Sequence, residues 1–155
     1  MHPVEMVSLN ELVPTTHIYR KINELYPIAL VRKSLKELEH VKGVDGYGIE
    51  CLFRYLFLQF LEDLSDRELE RFLQENTAGK WFCGFGLSTT TPSFSLFSKV
   101  RSRIGTKRLS KLFSSIRDSL QAKGYMSEVF TFVDATHLIA KATLWKERDK
   151  AETSE

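Results

Sequence analysis

Between residues 47 and 64 the apolar side chains leave almost no polar face. Leu52, Phe53, Tyr55, Leu56, Phe57, Phe60 and Leu61 cover most of the circumference of a helix drawn through them. A helix that is apolar nearly all round belongs inside a core, so other elements must wrap it. Its most apolar stretch, Ile49–Leu61, is interrupted by Glu50, Arg54 and Gln59, which makes it too short and too polar to span a bilayer. With 155 residues, 43% hydrophobic and 27% charged, the chain suits one ordinary domain, or one domain and the start of another. That composition excludes wholesale disorder.

Helical periodicity supplies the wrapping. Residues 1–14 read as an extended lead-in. Pro14 followed by Thr15 and Thr16 offers a helix start, after which Ile18, Ile22 and Leu25 recur on one face. Pro27 suits the first position of the next helix, whose stripe is Ile28, Val31, Leu35 and Leu38. Gly43, Asp45, Gly46 and Gly48 mark a turn before the central helix. After it, Ser65 and Glu68 have the spacing of a capping box, and Leu69, Phe72 and Leu73 form the buried face that follows. Residues 76–79 read as the end of that helix and residues 81–86 as an aromatic, glycine-rich loop. Thr91 and Pro92 begin another helix with Phe94, Phe97, Val100 and Ile104 on one side. Gly105 stops it. Thr106 caps a last helix carrying Leu109, Leu112, Phe113, Ile116 and Leu120, closed by Gly124.

The pattern changes beyond residue 124. Val129, Phe130, Thr131, Phe132 and Val133 favour a strand, Asp134 to Thr136 break it, and residues 137–143 suggest a second strand. Residues 145–155 are polar and expected to fray. A lone hairpin is marginal in water. The expected architecture is therefore mainly α: a helical domain over residues 1–124, then the opening β-hairpin of a mixed α/β domain over 125–155.

Charge is distributed unevenly. Residues 1–75 hold 9 Lys and Arg against 13 Asp and Glu, residues 76–127 hold 9 against Asp118 alone, and residues 128–155 hold 4 against 6. A basic block between acidic flanks suits an anionic partner, most often nucleic acid, or else a solvated helix face. Lys99 and Arg103 share the side opposite the apolar stripe, Arg101 sits nearer its edge, and Lys107, Arg108 and Lys111 cluster at the start of the next helix. Two helices joined at Gly105 and Thr106, both basic outside, suggest a helix-turn-helix-like hairpin binding DNA phosphates through these six residues. Two packing helices that happen to carry cations give the same pattern.

Catalytic motifs are sparse. Phosphate-loop, zinc-protease and nucleophile-elbow patterns are absent, and the four His have no metal-ligand spacing. Two Cys, at 51 and 83, make neither a disulfide scaffold nor a zinc site and point to a reducing, cytoplasmic setting. The N-terminus has no secretory pattern. Asp134 closes an otherwise apolar strand, as a turn residue or as a ligand in a hard-cation site; one carboxylate alone does not fix a divalent ion.

Five pieces carry a resemblance: residues 64–70 (LSDRELE), 81–84 (WFCG), 92–95 (PSFS) leading to 101–105 (RSRIG), 132–136 (FVDAT) and 140–142 (AKA). In this order and at these separations the chain resembles bacterial insertion-sequence transposases of the DDE type, and within them the insertion-sequence-five group with its InsH-type N-terminal domain. The resemblance covers about residues 10–150. It implies a helical DNA-binding and assembly domain followed by the first strand of a ribonuclease-H-like core. Asp134 matches the first acidic residue of a triad that holds two Mg²⁺ or Mn²⁺ ions for phosphodiester cleavage and strand transfer.

The expected function is binding of element-end DNA, the terminal inverted repeats, for transposition. The sequence given stops about 20 residues after Asp134, and the second and third triad carboxylates lie further downstream in the family. The expectation is thus a truncated transposase that does not cleave or join DNA by itself. A different class of reading is a non-catalytic helical interaction module. In it, the 47–64 helix pairs with another copy or with full-length transposase, as a remnant or inhibitor.

Overall fold

A computed structural model describes residues 2–26, 28–38, 48–124, 144 and 147–151. The elements bounded among the described residues are α1 Leu9–Leu12, α2 Ile18–Leu25, α3 Ile28–Leu35, α4 Ile49–Leu61, α5 Asp66–Glu75, α6 Thr77–Cys83, α7 Phe94–Ile104 and α8 Thr106–Ala122. A single 3₁₀ turn, Lys36–Leu38, continues α3. The described residues are mainly helical and include no strand. The expected strands, Asp134, Pro27, the glycines at 43 and 46, and the division into a second domain after residue 124 lie outside them.

α4 is the axle. Leu52, Phe53, Tyr55, Leu56, Phe57, Leu58 and Phe60 are all buried, packed by α3, α5, α6 and α7, while α8 closes against α2, α3 and α7. Phe113 of α8 reaches three α4 rings, with centroid separations of 5.5 Å to Phe53, 5.8 Å to Phe57 and 4.9 Å to Phe60. Tyr55, on another side of α4, meets Phe97 of α7 at 5.3 Å. Aromatic contacts of this kind add to area burial because ring edges and faces attract. The burial corrects one expectation: α4 is covered within its own chain and keeps no apolar face for a second copy.

Caps set the helix boundaries. Ser65 Oγ accepts from the Glu68 amide at 3.2 Å and Glu68 returns to the Ser65 amide at 3.4 Å, the reciprocal box expected from the sequence. The same pattern at Ser8 and Glu11 starts α1, so the lead-in is not wholly extended. His17, rather than Thr15 or Thr16, caps α2 through Nδ1, which accepts from the Tyr19 amide at 3.0 Å. Residues 77–83 form a helix, where the sequence suggests a helix end at 76–79 and a loop over 81–86. Asn76 ends α5 and also caps α6, its Oδ1 accepting from the Gly79 amide at 2.7 Å. Gly84 then ends α6 with φ 85° and ψ 21°, a left-handed cap that needs no Cβ.

The polar tail also departs from expectation. Residues 147–151 are helical, and Arg148 pins them to the α4–α5 turn. Its guanidinium donates to the Asp63 carbonyl at 3.2 Å and lies 3.4 Å from the Glu68 carboxylate.

Candidate nucleic-acid interface

The basic block forms the hairpin of α7 and α8. Gly105 is the whole connection: it ends α7, caps α8, and has φ 85° and ψ 145°, a conformation essentially confined to glycine. Sequence placed the new cap at Thr106; the structure places it one residue earlier. Apolar contacts hold the hairpin down through Leu96, Phe97, Val100 and Ile104 of α7 and Leu109, Leu112, Phe113, Ile116 and Leu120 of α8. Phe94, expected on the apolar face, is partly exposed, its ring stacked under the Arg67 guanidinium at 4.3 Å.

Packing that face inward turns the cations outward. Lys99, Arg103, Lys107 and Lys111 are exposed. Among the described residues none of these four side chains makes an ion pair or hydrogen bond. Lys99 and Arg103, and Lys107 and Lys111, are spaced four apart and so share a face within each helix. Arg108 is half-buried and loosely paired with the exposed Glu37 at 3.6 Å.

The start of α8 is electrostatically unusual. Gly105 offers no side-chain cap, so the first amides of α8 have no capping partner from that residue. Lys107 and Arg108 stand in that same first turn, and no acid does. The positive end of the helix macrodipole disfavours cations, so this placement works against stability. Cations beside an uncapped helix N-terminus are compatible with a phosphate ligand.

Arg101 behaves differently from its neighbours. Its Nη1 donates to Asp66 Oδ1 at 2.6 Å and to Gln59 Oε1 at 2.9 Å, and Nη2 donates to Asp66 Oδ2 at 2.8 Å. Gln59 Nε2 completes the set by donating to Asp66 Oδ1 at 2.7 Å. Both charged side chains are 11% exposed and Gln59 is wholly buried. Sequence reasoning put Arg101 near the apolar edge but missed both partners. Gln59 carried a signal, since an amide inside an otherwise apolar helix must find partners when buried. Asp66 was hidden among the first-turn acids expected of any capped helix.

Elsewhere a concavity of about 540 Å³ is lined by Asn23, Glu50, Cys51, Arg54, Trp81 and Cys83 among others. Arg54 is already engaged there, donating to Asn23 Oδ1 at 2.9 Å and the Phe82 carbonyl at 3.0 Å, with its guanidinium over the Tyr26 ring at 4.2 Å. Burial pushes the Cys51 thiol up to about 12, and Cys83 is raised well above its ordinary value by the same cause. Neither is a thiolate at neutral pH, so this cleft offers no activated nucleophile. Among the described residues no group of three or more His, Cys, Asp or Glu could hold a metal ion, and no helix is long and apolar enough to cross a membrane.

The family model described as Transposase domain (DUF772) matches residues 7–103. The chain belongs to this transposase-domain family. No curated protein and no solved structure matches it. The matched part of the transposase domain runs from the approach to α1 to the last turn of α7. It includes Lys99, Arg101 and Arg103, whereas Lys107, Arg108 and Lys111 follow it directly.

Proposed function

We propose that this transposase domain binds duplex DNA at the ends of its element, the terminal inverted repeats, through the α7–α8 hairpin acting as a helix-turn-helix-like unit. The observation that carries the reading is that Lys99 and Arg103 on α7 and Lys107 and Lys111 on α8, the two helices joined at Gly105, are all exposed. Arg108 joins them once released from its long contact with Glu37. A transposase must hold DNA, and this hairpin carries four exposed cations that make no ion pair among the described residues. Cations neutralise phosphates and release counterions, so affinity falls steeply with salt. Four such contacts give a slope of log K against log salt of about −3.6 on duplex DNA.

Fluorescence anisotropy with duplex carrying the terminal repeats, titrated from low to moderate salt, tests the proposal. Binding that is absent, or flat across that range, would overturn it.

The narrower placement in the InsH-type, insertion-sequence-five group of DDE enzymes rests on the resemblance set out above. Within it Asp134, outside the described residues, is proposed as the first triad carboxylate. Mg²⁺ or Mn²⁺ bound by a full triad would supply the Lewis acid for phosphodiester attack. These 155 residues match one carboxylate of the three, so the contribution proposed for them is DNA binding rather than cleavage.

A further inference from the structure

Arg101 lies in the last turn of α7, in the proposed DNA-binding hairpin, yet its side chain is nearly buried. Successive helical residues are rotated by about 100°, so Lys99 and Arg103, two residues to either side, both lie roughly 160° around the axis from it. Whatever turns Arg101 inward therefore turns Lys99 and Arg103 outward. Apolar burial beneath α7 is non-directional and tolerates rotation or sliding of the helix. A planar guanidinium forked on a carboxylate is directional.

We propose that Arg101 is a positioning residue: its bidentate pair with Asp66, seated on Gln59, sets the rotation and height of α7 and so aims Lys99 and Arg103 at DNA. A second tie supports this. Glu70 Oε2 accepts from the Phe94 amide at 2.8 Å, fixing the start of α7 to the same helix that carries Asp66. Asp66 meets Arg101 and Glu70 meets Phe94, so α5 and α7 run antiparallel and are tied at two heights. The acidic half of the chain thus serves as the mount for the basic half. The inference rests on the DNA-binding reading above and names what orients that surface.

Charge and position make opposite forecasts. Asp66→Asn removes a negative charge, so electrostatics alone strengthens DNA binding, whereas loss of the fork misaligns α7 and weakens it. Arg101→Lys keeps the charge and loses the fork, so electrostatics alone leaves binding unchanged.

The experiment measures affinity of wild type, Asp66→Asn and Arg101→Lys for the same terminal-repeat duplex, at a temperature where circular dichroism shows native helicity. Both variants are expected to bind more weakly, by about fivefold, the size of coupling seen between contacting residues. If Asp66→Asn does not fold, Arg101→Lys decides. Wild type that binds while the folded variants bind equally well or better overturns the positioning role and leaves the interface standing. Wild type without affinity for duplex DNA overturns both.

Discussion

Ser65 and Ser8 carry the same capping chemistry with different consequences. Ser65 is wholly buried where α4 turns into α5, and its box holds the first turn of a helix that mounts Asp66. Ser65→Ala is expected to destabilise the fold by about 1 kcal/mol, with an unchanged dependence on denaturant concentration in urea unfolding. Ser8 caps a four-residue helix with no buried residue. Its alanine variant should stay within about 0.5 kcal/mol of wild type in the same measurement. A difference between the two of less than the error of the method would mean that burial does not set the worth of the cap. Asp66 and Arg101 belong to a third kind of residue. Removing either alone leaves a nearly buried partner uncompensated, at a cost of roughly 3–5 kcal/mol.

At the level of elements, the joint between α7 and α8 governs the proposed site. A Cβ built on Gly105 meets nothing within 4 Å, so crowding does not require glycine there. The backbone does, because φ 85° with ψ 145° is strained for any L side chain. Gly105→Ala is expected to cost about 1–3 kcal/mol and to lower the urea midpoint accordingly. An unchanged midpoint would show that the joint relaxes freely, and the fixed relation between α7 and α8 would lose its basis.

Across the whole molecule, charge and burial act on different variables. The outward cations should set the salt dependence of DNA binding. Replacing Lys107 and Lys111 by Gln is expected to make the slope shallower by about 1.8, with thermal stability unchanged or slightly improved because Lys107 leaves the positive end of α8. Burial should set the alkaline limit of stability. Cys51 is raised to about 12 in the fold, chiefly by desolvation, and Cys83 is raised with it. A group whose pKa is higher folded than unfolded favours the native state fully below its unfolded value. That contribution declines as pH rises towards the folded value, because the unfolded thiol ionises first. Tyr19 and Tyr26, both raised by burial, act in the same direction from about pH 10. The melting temperature should therefore fall above about pH 8.5. Alanine at both cysteines should flatten the first part of that fall, and an unaltered profile would refute the assignment.

Local chemistry determined much of this protein. The all-round apolar helix, the Ser65 box, the stop at Gly105 and the segregation of charge are legible because each depends on residues within a few positions of one another. The same locality explains the misreadings of α1 and α6: Ser8 and Asn76 offered caps, but helices of four and seven residues have too little periodicity to stand out. Only the folded chain decided which cations stay free. Gln59 and Asp66 are 42 and 35 residues from Arg101, and three helices must pack before a guanidinium can find both. Ion pairing across such a distance depends on desolvation and orientation, which no linear spacing encodes.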